Sequence, residues 1–318
     1  GAVPLMIRPH LGLQVARFIG GSERVGALAD LMLAPDEVPD VAVGLADQIA
    51  SSGADLVDLY GLPARSRVAG ALRSEIEVIA RVEAPVLDLP PGWDAVYQAK
   101  TSSKKRNFHR RRRRQLASLG RLEVAVARTR HDLASALDEA FRLHALRWQG
   151  RPDGSGFVTP VGKRFHRAAI DLLAELDVPR IVLLKLDGRA IAFHYYLVLE
   201  GRMYVHRLGF DPELARLSPG LVNTLDAIEA AAAEGVTRVE FLGGAERYKV
   251  ELADGFEPLC HGLGLASGVR SRAVVAAQLG LIRLRLRLKR SHALHRLYLD
   301  RLAPLRRRAT RPRHTLRA

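Results

Sequence analysis

The chain is predicted to be α+β, with mixed sheets flanked by helices, and three observations carry that prediction. Apolar runs at 181–186, 190–199 and 203–208 are separated only by Asp187-Gly188 and Glu200-Gly201. Asp-Gly between apolar runs is a strong hairpin turn, so these runs read as an antiparallel meander. A helix follows over 219–234, with Leu221, Leu225, Ile228 and Ala232 at helical spacing and Gly235 as its stop. Residues 236–242 then read as one more strand.

The earlier elements follow in order. Residues 13–19 are strand-like, 41–50 have helical spacing, and 56–60 form a short strand before Gly-Leu-Pro. In 75–82, Ile76, Val78 and Ala80 alternate on one face, as in a strand. The first 90 residues show no phosphate loop and no nucleophile motif, so this part is expected to be a scaffold or a wall of the acceptor site. Pro90-Pro91-Gly92 marks a boundary. One long basic helix is expected over 93–119, closed by Gly120 and carrying Lys104, Lys105, Arg106 and Arg110 to Arg114. A strand at 122–127, a helix at 131–148, a Gly/Pro loop at 150–160 and a helix at 165–176 lead into the meander. Four segments result: 1–92, 93–120, 121–268, and a tail at 269–318.

Composition narrows the function classes. Of 318 residues 48% are hydrophobic, enough for a sizeable core. Cys260 is the lone cysteine, which excludes a disulfide framework and a cysteine metal cluster and fits a reducing, cytoplasmic setting. No uncharged apolar run approaches the roughly 18 residues of a membrane span. The net charge is +15, but residues 270–318 hold fifteen Lys and Arg against the single acid Asp300, so that segment alone carries +14. As cationic, partly amphipathic helices at 272–290 and 292–309, the tail suits an anionic membrane surface, which would place the protein peripherally at the inner membrane face; a solvated arm is the alternative.

The region from 206 to 249 is the most informative. Gly209-Phe210-Asp211-Pro212 ends a strand, and Ser218-Pro219-Gly220-Leu221 opens a helix. Ser218 fits an N-cap and Pro219 the first helical position. A helix start just after a strand offers free N–H groups and a positive dipole end, a site for a pyrophosphate. Arg216 adds a charge-assisted bond there, or is a solvated loop cation.

These residues resemble a known family as a series. Trp93 precedes a helix with Lys104, Arg106, Arg110 and Arg113; His144 and Trp148 follow; then come Gly209 to Pro212, Ser218-Pro219-Gly220, Phe241-Leu242-Gly243-Gly244 and Tyr248-Lys249. Over about half the chain this series resembles the CelD/BcsL family of GNAT-like acyltransferases, associated with cellulose and exopolysaccharide biosynthesis. The resemblance implies two GNAT-like halves, as in the FemABX transferases, and acetyl-CoA or another acyl-CoA as co-substrate, with no metal. The chain departs from the usual phosphate signature at Pro219 and Leu221, and it has Glu240 where the family commonly has Asp.

Acyl transfer needs an acceptor deprotonated and an oxyanion stabilised. With a two-residue Glu200-Gly201 turn, His194 faces Arg207 and Tyr195 faces His206, which puts His194, Tyr196 and Arg207 on one face. His194 is then a candidate base and Arg207 an anion partner beside Gly209. Glu240 is a second candidate base, or a salt-bridge partner of Lys249 or Arg247. Tyr248 is a candidate acid for a departing thiolate, and Lys249 a phosphate or sugar ligand. His144 and Trp148, four apart on one helix face, suit an acceptor sugar; core packing is their alternative. No spacing suggests a metal site.

The expected activity is direct acyl transfer to a hydroxyl or amine of a sugar, polysaccharide or cell-envelope precursor. A Fem-like transferase using aminoacyl-tRNA competes with it, since the basic helix and tail would neutralise RNA phosphates. A non-catalytic scaffold or nucleic-acid-binding protein on the same fold is the third possibility.

Overall fold

The structure is a computed structural model that describes residues 2–10, 12–19, 28–30, 32, 44, 47–49, 51–72, 75–90, 92–148, 156–243 and 246–290. Its strands are β1 Leu5–His10, β2 Leu13–Phe18, β3 Leu56–Leu62, β4 Ile76–Asp88, β5 Leu122–Ala127, β6 Pro179–Leu186, β7 Arg189–Leu199, β8 Arg202–Phe210, β9 Arg238–Glu240 and β10 Gly255–Gly264. Its helices are α1 Arg67–Ala71, α2 Trp93–Lys100, α3 Ser103–Ala117, α4 Arg130–Trp148, α5 Pro160–Ala174, α6 Pro219–Ala233, α7 Arg247–Leu252 and α8 Val269–Arg290. The strands form one mixed sheet in the order β1-β2-β3-β10-β4-β9-β8-β7-β6-β5. Among the described residues β2/β3 and β8/β9 pair in parallel, and the other neighbours are antiparallel. The α+β class and the meander agree with the sequence.

Strict alternation in the meander feeds two cores. Val182, Tyr196, Met203 and Val205 point to one face, where Ala227, Ile228 and Ala231 of α6 and Trp93 and Val96 of α2 cover them. Ile181, Leu183, Phe193 and Tyr195 point to the other, under Leu133, Leu137 and Phe141 of α4 and Ile170 of α5. At the far end of the sheet, Val275, Leu279 and Ile282 of α8 cover Leu13, Val15, Leu56 and Leu263.

Three differences from the sequence reading have physical causes. The expected helix at 93–119 is two, α2 and α3. Thr101 turns to an extended conformation, and the Ser102 side chain caps α3 by accepting from the Lys105 N–H at 3.3 Å. The strand expected at 75–82 continues to Asp88, because β10 lies along nearly its whole length. That strand, β10, comes from beyond Tyr248 and pairs between β3 and β4, so the sheet is continuous across residue 92. Of the helix expected at 41–50 only Gly44 and Asp47 to Ile49 are described, as helical; the helix at 292–309 and most of the 150–160 loop lie outside the described residues.

Three histidines sit deep in these cores: His144, His166 and His194, each 3% exposed or less. Burial lowers His144 and His166 to about 4 and His194 to about 3, from an ordinary 6.5. Because the folded values are lowered, the unfolded chain binds protons first as pH falls. The stability gained by keeping these rings neutral is complete above pH 6.5 and is lost as pH falls toward 4, at a cost of up to about 3 kcal/mol per ring. Urea midpoints should drop between pH 7.5 and 4.5. The drop should shrink in His194→Leu; an unchanged slope in that variant would count against burial as the cause.

Candidate active site

The site begins where β9 stops. β8 and β9 run side by side only over Arg202 to Tyr204 against Arg238 to Glu240. Leu242 then takes a left-handed φ of 53°, which ends the extended chain, while β8 continues to Phe210. A wedge opens in the sheet beside the last six residues of β8. Arg147, near the end of α4, reaches into it, donating to the Leu208 carbonyl at 3.2 Å and lying 5.1 Å over the Phe210 ring. On the far wall Lys249 is 3% exposed. Its Nζ donates to the carbonyls of Phe241 at 3.3 Å and Gly243 at 3.5 Å and pairs with Glu246 at 2.9 Å. Lys249 thus fastens the wall rather than standing free for a phosphate or sugar.

The start of α6 closes the end of β8. Asp211 caps the 3-10 turn Pro212–Leu217 by accepting from the Glu213 N–H at 3.1 Å. Ser218 occupies the N-cap position of α6 at φ 56°, and its side chain makes no capping bond, unlike the ordinary cap expected. Its carbonyl accepts from the Leu221 and Val222 N–H groups at 3.1 and 3.2 Å. Gly220 lies so close to β8 that a Cβ there would stand 2.7 Å from the Phe210 ring. Arg216 is exposed beside it. Arg216, Ser218, Pro219, Gly220 and Leu221 are therefore brought together. Helix α3 flanks them: Leu116 packs on Val222, and Arg113 pairs with Asp226 at 2.5 Å. Arg110, Arg111, Arg113 and Arg114 are exposed on α3.

The register of the β7–β8 hairpin differs from the expectation. Near the turn it is as predicted, Leu199 opposite Arg202 and Tyr196 opposite Val205. Beyond that an extra residue bulges out of β8, so Tyr195 faces Arg207 and His194 faces Leu208. His194 and Arg207 therefore do not share a face. His194, 1% exposed, looks toward α6 with both ring nitrogens unpartnered among the described residues. Arg207 and Gly209 lie on the α4/α5 side: Arg207 is near Tyr195, and Gly209 packs on Phe193, which a Cβ would approach to 2.5 Å. Neither adjoins the start of α6.

The remaining expected residues are also placed. Glu240 is 7% exposed, and its Oε1 accepts from Arg238 at 2.8 Å and Arg202 at 3.2 Å, rather than pairing with Lys249 or Arg247. Tyr248 packs on Phe241 with its ring near Thr224 of α6, and burial holds its hydroxyl well above the usual tyrosine range. His144 and Trp148 stack at 5.6 Å, as their spacing implies. Sequence reasoning gave no role to His166 and His206, which meet at 5.1 Å. For His166 a signal existed: Gly162, His166 and Ile170 recur every four residues and are buried. For His206 none did, since its side depends on the bulge. Among the described residues no His/Cys/Asp/Glu group could hold a metal ion, and no helix is long and apolar enough to cross a membrane.

Comparisons with known proteins fit this geometry. Residues 103–250 match the family model described as an acetyltransferase (GNAT) domain. No curated protein matches the chain. A C-terminal domain assigned to a lysylphosphatidylglycerol synthetase of Agrobacterium fabrum is similar in structure, with TM-score 0.57 at 13% identity over 86% of this chain and 83% of that one. L-PGS from Bacillus licheniformis gives 0.54 at 13% over 86% and 85%, and FemX gives 0.53 at 11% over 81% and 83%. At these identities the likenesses speak for the fold. With a meander, a helix and a parallel strand opening a wedge inside the matched segment, residues 103–250 have the fold of a GNAT acetyltransferase domain.

Proposed function

We propose that the protein transfers an acyl group, acetyl in the simplest case, from acyl-CoA directly to a hydroxyl or amine of a sugar, polysaccharide or cell-envelope precursor. The observation that carries this is the wedge beside β8 meeting the start of α6. A pantetheine arm is an extended chain with amide groups, suited to the strand edge that β9 leaves. The pyrophosphate would lie at Ser218 to Leu221, where the helix dipole and Arg216 favour an anion. The tetrahedral oxyanion would be stabilised by Arg207, and Tyr248, held as a neutral phenol, would donate a hydrogen bond to the leaving thiolate. Glu240 acts as a fastener between β8 and β9. His144 and Trp148 would form an acceptor wall on the α4/α5 side, and the sugar-class acceptor follows from the CelD/BcsL resemblance.

A second reading uses an aminoacyl ester of tRNA as donor. The exposed arginines of α3, packed against α6, favour it, because they could neutralise several RNA phosphates.

Calorimetric titration decides between the two donors. Acetyl-CoA and free CoA should bind with micromolar affinity. Gly220→Glu and Arg216→Glu should each weaken binding at least tenfold; the exposed Arg216 variant should do so without changing the melting temperature. Absence of CoA binding, with tRNA affinity falling steeply as salt rises, would establish the second donor instead.

The Glu240→Gln protein tests the fastener. Removing one charge from the Arg202–Glu240–Arg238 cluster should cost about 1–3 kcal/mol in urea unfolding. Acetyl-CoA affinity should stay within about twofold, and CoA release from acetyl-CoA should stay within a few-fold. A loss of turnover of a hundredfold or more at unchanged stability would instead make Glu240 the base.

A further inference from the structure

One buried cluster takes no part in holding the donor. The bulge in β8 turns both His206 and Arg207 toward α4 and α5, on the side of Tyr195. The His206 ring lies 5.0 Å from Tyr195 and 5.1 Å from His166, centroid to centroid. His166 is 2% exposed, and its Nδ1 has no partner among the described residues. Buried polar atoms are nearly always bonded, so an unpartnered ring nitrogen in such a cluster points to a ligand or a functional constraint. His206 itself is half-buried rather than fully enclosed. The bulge also stands just past Tyr204, where the wedge opens, so a thioester lying along β8 would pass it.

We propose that His206 is the base that takes the proton from the attacking hydroxyl or amine, in an acceptor pocket floored by the bulge and walled by α4 and α5. This rests on the acyl-CoA reading above. As the acceptor oxygen or nitrogen bonds to the thioester carbonyl carbon, its proton moves to a ring nitrogen of His206 and the carbonyl electrons move to oxygen. When the carbonyl re-forms, the C–S bond breaks and the thiolate leaves, taking its proton from water. The imidazolium then returns its proton to solvent.

Electrostatics fit this role. The titratable and charged groups that face His206 are Arg207 on its own strand, Tyr195 on β7 and His166 on α5. Burial first, then Arg207 and His166, holds His206 well below the ordinary histidine range, so the ring is neutral and able to accept a proton at pH 7. Arg207 opposes the imidazolium, but the oxyanion forming at the same moment offsets that opposition.

The test uses water as acceptor, so no natural acceptor is required. CoA release from acetyl-CoA is followed with a thiol dye from pH 5.5 to 9, alongside calorimetric affinity for acetyl-CoA. His206→Gln should bind acetyl-CoA within threefold of the wild type and release CoA at least 30-fold more slowly. His206→Ala should regain at least a tenth of the rate in added imidazole, with a pH profile that follows imidazole's own ionisation. Full rate in His206→Gln with intact binding would overturn the proposal. So would loss of rate in both variants without imidazole rescue, which would assign His206 a packing role. If the wild type binds no acetyl-CoA, the donor reading fails, and this inference fails with it.

Discussion

The early end of β9 is the constraint on which the rest of the site depends. A parallel strand pair normally satisfies its backbone groups along its full length. Here the pairing covers three positions, and Leu242 then leaves the sheet. The edge of β8 that β9 leaves unpaired is where the proposed extended donor would lie. Lys249 ties the carbonyls of Phe241 and Gly243 to α7, and Arg202 and Arg238 grip Glu240 at the last paired position. Phe210, seated against Gly220, sets α6 at the end of β8.

The sheet also separates the candidate residues by face. On one side lie α6 and the cationic α3, where the proposed donor phosphates would sit. On the other, His144 of α4 and His166 of α5 lie over the face that carries Tyr195, His206 and Arg207. One extra residue in β8 makes this division, because it changes which residues beyond Val205 look toward α4 and α5. A bulge beside a site re-aims side chains in this way without disturbing the strands around it.

Much of this was legible in the sequence, for reasons particular residues make plain. Asp187-Gly188 and Glu200-Gly201 placed the meander because both pairs allow left-handed backbone, and both do adopt it. Ser218-Pro219-Gly220 marked the start of α6 because proline at the first turn has one reading. The stacking of His144 on Trp148 followed from spacing alone. The bulge was not legible: β8 carries no glycine or proline at His206, and the two-residue turn fitted the pairing equally well without it. Neither was the place of β10, since a strand's neighbours are set by long-range pairing rather than by its own pattern. The partners of Glu240 depend on the same pairing: Arg202 lies diagonally across on β8, opposite Arg238, and Arg238 is two residues away on the same face. In the sequence the basic helix reads as continuous because Thr101 and Ser102 count only weakly against a helix until one of them caps the next.

The most direct test of a donor lying in the wedge is hydrogen exchange of backbone amides, followed by mass spectrometry with and without saturating acetyl-CoA. Exchange should slow at 205–210, along the free edge of β8, and at 216–222, around the start of α6. It should stay unchanged at 56–62 in β3. Protection elsewhere with acetyl-CoA bound, and none at 205–210 and 216–222, would contradict a donor site built on the early end of β9.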